Sequence, residues 1–151
     1  MDNILYIEKC HNMHEDNDAK LNYATEESAG VDIAFNEVLS LVPGQKKLIG
    51  TGLKFRIPKG MVGLLVPRSS AGKVDFSLAN TVGIIDSDYQ DEVKIFAKNN
   101  SGSQMVYHPG DYMCQIVFIK VERLKFAYVD KLPEVDSTRD GGFGSTDKKK
   151  K

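Results

Sequence analysis

Two carboxylates and a phenol fall within four residues at Asp86-Ser87-Asp88-Tyr89. A carboxylate within hydrogen-bond reach of a water can orient or deprotonate it, and a flat ring beside it can lie against one small ligand. The same residues are also good turn formers whose side chains bond their own backbone. A second chemical stretch is Pro67-Arg68-Ser69-Ser70-Ala71-Gly72-Lys73, with a fixed cation, two hydroxyls and a glycine. Arg and free backbone N–H groups suit phosphate oxygens, although an ordinary capped turn uses the same material. Asp32 stands between Val31 and Ile33, where an inward-facing carboxylate needs a partner. Gln115 lies inside the apolar run from Tyr112 to Ile119 and must hydrogen-bond, either to neighbouring backbone or to a ligand. Near the end, Arg139-Asp140-Gly141-Gly142-Phe143-Gly144-Ser145-Thr146 puts one cation, one ring and two hydroxyls on a glycine-dense arm. Such an arm is either a disordered tail or a lid whose ring covers an aromatic face while its cation and hydroxyls meet phosphate.

The elements that must hold these groups read as strands. Around the Asp86 cluster, Val82 to Ile85 leads in and Val93 to Ala97 leads out, the pattern of a paired-strand hairpin. Ile4 to Cys10 alternates weakly as a first strand, and His11 to Asn22 is a polar, acidic loop. His14 among Glu15, Asp16 and Asp18 could attract a cation, but the stretch shows no ligand framework and reads as surface loop. Val31-Asp32-Ile33 begins an alternating strand, Val42 to Gln45 turns, and Lys47 to Ile57 keeps a period of two as one half-buried strand. Turns follow at Pro58-Lys59-Gly60, Asn99 to Ser103 and Pro109-Gly110-Asp111, alternating with the apolar runs Met61 to Val66, Met105 to Tyr107 and Tyr112 to Ile119. No segment between Tyr23 and Ile119 sustains a helical apolar period, which argues an all-β sandwich or barrel.

Composition narrows the function classes. A chain of 151 residues, 41% hydrophobic and 27% charged, is globular and long enough for one cored domain. A net charge of −1 gives no electrostatic reason for nucleic acid as a partner. No apolar run approaches the roughly 18 residues of a membrane span, and Met1-Asp2-Asn3 lacks the basic start of a signal peptide, so an intracellular, cytoplasmic place is expected. Cys10 and Cys114 are isolated and expected as free thiols, Cys114 as a small buried apolar residue. The expected organisation is a barrel domain over residues 1–136 and an arm over 137–151, whose closing lysines, Lys148 to Lys151, carry no assigned role.

Five stretches stand in order: Ser28-Ala29-Gly30-Val31-Asp32, Pro67 to Lys73, Asn80 to Tyr89, Gly110-Asp111-Tyr112-Met113-Cys114-Gln115, and Arg139 to Thr146. Together they resemble the five ordered motifs of the trimeric dUTPases, the deoxyuridine 5′-triphosphate nucleotidohydrolases, from about residue 23 to residue 147. The resemblance implies a jelly-roll-like, distorted β-barrel subunit with a flexible C-terminal arm. It also implies a homotrimer with shared active sites and hydrolysis of dUTP to dUMP and pyrophosphate with Mg²⁺. By the same carry-over, Asp86 orients or deprotonates the attacking water and Tyr89 stacks beneath the deoxyribose. The Asn80 amide and the backbone around Gly83 and Ile85 read the uracil edge. Arg68, Ser69, Ser70, Gly72 and Gln115 serve the phosphates, and Asp32 supports Mg²⁺ through water. From the arm, Phe143 covers the uracil, while Arg139, Gly144, Ser145 and Thr146 close over the γ-phosphate end.

This sequence departs from the family pattern at Asp91, where a glycine is usual, and at Tyr112 and Cys114, where Arg and Ala are common. It departs again in the shortened spacing from Arg139 to Phe143 and at Asp147. Two rival readings are a dCTP deaminase of the same fold group, which lacks this Asp-Ser-Asp-Tyr and Gly-Gly-Phe-Gly-Ser-Thr pair, and a nucleotide-sensing interaction protein. Ammonia release from dCTP separates the first, and dUTP-dependent protein capture the second.

Overall fold

Met61–Pro67 and Cys114–Lys120, seven residues each, form the spine of the molecule. The computed structural model describes residues 4–15, 17, 21–138 and 141–142. In chain order its strands are β1 (Tyr6–Lys9), β2 (Gly30–Ile33), β3 (Leu39–Leu41), β4 (Lys46–Gly50), β5 (Leu53–Arg56), β6 (Met61–Pro67), β7 (Phe76–Leu78), β8 (Gly83–Ile85), β9 (Lys94–Asn99), β10 (Met105–Tyr107) and β11 (Cys114–Lys120). The helical element among the described residues is a short 3₁₀ turn at Ser69–Val74. The architecture is therefore all-β, as the missing helical period requires.

A four-stranded sheet runs β2-β11-β6-β8 and a three-stranded sheet β4-β9-β7, with the ladders β1-β5 and β10-β3 beside them. Every pairing is antiparallel. Alternate side chains of these short strands point inward, so Ile33, Phe35, Leu39, Leu41, Ile49, Leu53, Ile57, Leu65, Ile95 and Ile116 share one buried cluster. Burying side chains of this kind stabilises by about 1.5 to 3 kcal/mol each. Phe35, Phe76 and Tyr107 close one end of the cluster, with ring centroids 5.5 to 6.1 Å apart. Burial pushes the Tyr107 hydroxyl pKa up.

Two strand expectations need correction. The legs on either side of Asp86 do not pair as a hairpin: β8 pairs with β6, whereas β9 pairs with β4 and β7. Both legs alternate, but the connection from Asp86 to Val93 is long enough to carry the chain between sheets, and each leg finds its ladder with a distant partner. The run from Lys47 to Ile57 is also two strands rather than one. It breaks at Thr51-Gly52, where Gly52 takes φ +72, a left-handed conformation that ends the extended run and suits glycine.

After β11 the chain leaves the folded core. Residues 121–138 are exposed and make no described strand, yet they carry Leu124 at 75% exposure, Phe126 at 90% and Tyr128 at 101%. No helix among the described residues is long and apolar enough to cross a membrane.

Candidate functional site

The strand ladder brings Asp32, Gln115 and Arg68 together. β11 lies between β2 and β6, so Gln115 stands opposite Asp32 on one side and Val66 on the other. Arg68 follows the end of β6, where its N–H donates to the Met113 carbonyl at 2.8 Å. Its Nε donates to Asp32 Oδ1 at 2.8 Å, each side chain being one-third exposed. Asp32 is not inward as its neighbours suggest: Val31 and Ile33 take the buried face of β2, and Asp32, on the other face, pairs with this cation. The guanidinium also lies 4.5 Å from the centre of the Tyr112 ring, a cation–π contact at the position where the family often has Arg.

Gln115 is placed by its surroundings. Its Nε2 donates weakly to the Pro67 carbonyl at 3.4 Å, and its amide lies so close over Gly30 that a Cβ there would come within 3.0 Å of Cδ. Gly30 is the small residue that lets this amide cross the sheet face. Ser69, Ser70 and Gly72 ride on the 3₁₀ turn, which begins at an extended Arg68 with no side-chain cap and holds Ala71 fully buried. Buried Ala71 anchors the turn while Ser69 and Gly72 remain exposed.

The second group lies elsewhere. β8 runs antiparallel to β6 with Ile85 opposite Gly63, so Asp86 emerges beside the beginning of β6, whereas Arg68 follows its end. Asp86 and Asp88 line an open groove of about 710 Å³ with Met61, Leu64, Ile84, Ile119 and Arg123. At about 3.3 Å per strand residue, the six positions from Val62 to Arg68 separate the two groups by on the order of 20 Å. Asp86 and Arg68 of one chain therefore do not converge on one phosphate.

Tyr89 closes a turn on Asp86, its N–H donating to the Asp86 carbonyl at 3.2 Å. Its hydroxyl donates to the Glu92 carbonyl at 3.0 Å, and burial, then the charges of Asp91 and Glu92, raise its pKa. Asn80 is exposed in the turn before β8, where Thr81 adopts φ +67 and Val82 N–H reaches the Asn80 carbonyl at 2.7 Å. A β-branched residue in that region stores roughly 1 to 3 kcal/mol of strain, which fixes the approach to Gly83. Gly83 itself packs against Leu65, whose Cβ would lie 3.0 Å from an added one.

Carboxylate oxygens are the donors Mg²⁺ prefers, and Asp32 offers them partly exposed beside the phosphate-type residues. Among the described residues no three His, Cys, Asp or Glu side chains converge as a metal cage, so the donor set fits an ion that brings phosphate and water ligands with it. Cys10 and Cys114 are free thiols. Burial pushes Cys114 up to about 12, which makes it a packing residue rather than a nucleophile. Arg139, Phe143, Gly144, Ser145 and Thr146 lie outside the described residues.

The model of the dUTPase family matches residues 16–147. This chain belongs to the dUTPase family. Among relatives of this dUTPase-family chain, the deoxyuridine 5′-triphosphate nucleotidohydrolase of Legionella pneumophila strain Paris is 41% identical over 129 residues, covering 82% of this chain and 84% of the relative. That of Finegoldia magna is 39% identical over 137 residues, covering 89% and 95%. The fold is similar to that of the dUTPase of Staphylococcus bacteriophage 80alpha solved with dUpNHpp, with a TM-score of 0.79 at 22% identity over 95% of this chain and 98% of that one. It is also similar to a mutant dUTPase of phage phi11 of S. aureus, with a TM-score of 0.76 at 22% identity over 87% and 100%. The latter structure is described as revealing the coordination of a structural Mg(II) ion. These two likenesses establish the jelly-roll-like β fold of the dUTPase-family subunit.

Sequence reasoning passed over two features of this dUTPase-family chain. One is Glu92, whose signal was Gly50, which makes room for its carboxylate, and Gly52, whose N–H it accepts. The other is the alternation Leu124, Phe126, Tyr128, a strand-like period on a segment left exposed among the described residues.

Proposed function

We propose that this chain is a dUTP diphosphatase, hydrolysing dUTP to dUMP and pyrophosphate and so limiting the dUTP available for incorporation into DNA. Membership of the dUTPase family over residues 16–147 carries the reading. In the proposed site Asp86 orients a water toward the α-phosphorus and takes its proton as the new P–O bond forms. The bond from the α-phosphorus to the bridging oxygen breaks, and pyrophosphate departs with that oxygen. Arg68, Ser69, Ser70, Gly72 and Gln115 hold phosphate oxygens and stabilise the charge that develops on the leaving group. Tyr89 lies beneath the deoxyribose, where a 2′-hydroxyl has no room. The Asn80 amide and the backbone of Gly83 and Ile85 face the uracil edge. Bound Mg²⁺ supplies charge neutralisation on the triphosphate, and Asp32 is the residue that meets it through water.

The assembly is a homotrimer with its sites built between subunits. Two observations support this reading. Asp86 and the Arg68 group lie at opposite ends of β6 in one chain, while the mechanism needs a water within about 3 Å of the base and of the phosphorus it attacks. In addition, the exposed apolar row Leu124, Phe126 and Tyr128 needs a cover that another copy can provide. The arm over residues 137–151, with Arg139, Phe143, Gly144, Ser145 and Thr146, closes over the nucleotide and excludes water, while residues 1–136 make the barrel domain. Such a site acts where nucleoside triphosphates are held, inside the cell.

Pyrophosphate release across dUTP, dTTP, UTP and dCTP tests the reading. Turnover confined to dUTP is expected, equal turnover of all four overturns the specificity, and ammonia release from dCTP would make the chain a deaminase instead.

A further inference from the structure

Glu92 follows the Asp86 turn and has no place in the chemistry proposed above, yet it touches three other parts of the molecule. Its side chain reaches across to the β4–β5 connection, where Oε1 accepts the Gly52 N–H at 2.8 Å. Gly50 lies directly beneath: a Cβ there would overlap Oε1 and come within 2.9 Å of Cδ. The Glu92 carbonyl accepts the Tyr89 hydroxyl at 3.0 Å. The next residue, Val93, is fully buried and locked to the same connection. Its N–H donates to the Leu53 carbonyl at 2.8 Å, and its carbonyl accepts the Thr51 N–H at 3.1 Å and the Thr51 hydroxyl at 2.7 Å.

These contacts give residue 92 two handles of different kinds. The backbone after it is fixed by the barrel whatever its side chain. The peptide joining residue 92 to Val93 is planar, so the Val93 bond to Leu53 also holds the Glu92 carbonyl, the acceptor for the Tyr89 hydroxyl. Where the carboxylate docks sets the rotation about the Cα–C bond of residue 92, and so the direction from which the loop carrying Tyr89 arrives. A glycine on each side of Thr51 makes that docking possible: Gly50 by lacking a Cβ, Gly52 by turning its N–H toward the carboxylate at φ +72. Tyr89 is 38% exposed, so packing alone does not fix its ring. Its raised pKa keeps the phenol protonated and able to donate across the ordinary working range.

The geometry points to Glu92 as a positioning residue that sets the Tyr89 ring from the β4–β5 connection and thereby sets the discrimination between 2′-deoxyribose and ribose. The inference rests on the proposed place of Tyr89 beneath the sugar. A ring displaced by a fraction of an ångström opens room for a 2′-hydroxyl, so the loss falls on specificity before it falls on folding.

The experiment compares kcat/KM for dUTP and UTP in the full chain and in Glu92→Ala, Glu92→Gln, Gly50→Ala, Tyr89→Phe and the Glu92→Ala/Tyr89→Phe double variant, with thermal unfolding of each. Glu92→Ala should reduce the dUTP-over-UTP ratio by roughly tenfold or more, while Glu92→Gln, whose amide oxygen still accepts the Gly52 N–H, should stay within about threefold of the parent. Gly50→Ala displaces only the flexible end of Glu92 and should reproduce the loss without altering the 86–92 loop itself. Tyr89→Phe should add less than its own loss in the Glu92→Ala background, because both act on the position of the same ring. The inference is overturned if Glu92→Ala keeps the parental ratio, if Glu92→Gln loses as much as Glu92→Ala, or if the double variant loses the product of the two single losses. A parent chain that does not distinguish dUTP from UTP overturns the placement of Tyr89 itself, and the inference falls with it.

Discussion

Arg68 Nε donates to Asp32 Oδ1 across 2.8 Å, joining the end of β6 to β2 over the intervening Gln115 of β11. One carboxylate and one guanidinium thus offset each other's charge at this edge of the sheet. The pair is partly open to solvent, so screening limits its contribution to stability to less than about 1 kcal/mol. Its larger effect is to hold both groups at one edge of the sheet, with the Tyr112 ring as a second support for the guanidinium.

Asp32→Asn keeps an acceptor for Arg68 but removes the charge. Its melting temperature should fall by no more than about 2 to 4 °C, while the Mg²⁺ concentration for half-maximal dUTP hydrolysis rises severalfold. Magnesium titration at fixed dUTP measures this. An unchanged requirement would mean that Asp32 serves Arg68 alone.

Asp86→Asn retains shape and removes the base. Turnover should drop by roughly 10²- to 10⁴-fold with nucleotide binding preserved, as measured by single-turnover kinetics and calorimetric titration with a non-hydrolysable dUTP analogue. Activity within about threefold of the parent would move the role to Asp88, which lines the same groove.

Phe126 is 90% exposed in the single chain, so Phe126→Asp should leave the subunit folded. In the assembly it should place a charge at an apolar contact and shift sedimentation from about 50 kDa, three times 16.8 kDa, toward the monomer, with activity lost in parallel. A variant that still sediments as a trimer would remove residue 126 from the interface.

Burial raises Cys114 from 9.0 to about 12. An unfolded thiol ionises above its ordinary value while the folded one stays protonated, so the unfolded state binds fewer protons and stability falls as pH rises. The contribution is fully present below about pH 9 and is lost toward pH 12, with a slope approaching 1.4 kcal/mol per pH unit. Cys114→Ala should flatten that alkaline limb in denaturant titrations at several pH values. An equally steep limb in the variant would assign the slope to other groups.

The family was legible in the sequence because its ordered motifs restrict residue type and order together. The ordered cluster from Asp32 to Gln115 identified a family that the match over residues 16–147 establishes, and the missing helical period identified an all-β chain. Strand partners were not legible in the same way. The alternation around Asp86 says that both legs are strands with a buried face. It does not say that one joins β6 and the other β4 and β7, because ladder pairing is decided between residues distant in sequence. Glu92 drew no reading from the sequence, because only the folded barrel lays Gly50 under its carboxylate and turns the Gly52 N–H toward it. The distance along β6 between Asp86 and Arg68 likewise exists only once β8 is laid antiparallel against that strand, and it decides that the two motifs of one chain face different places.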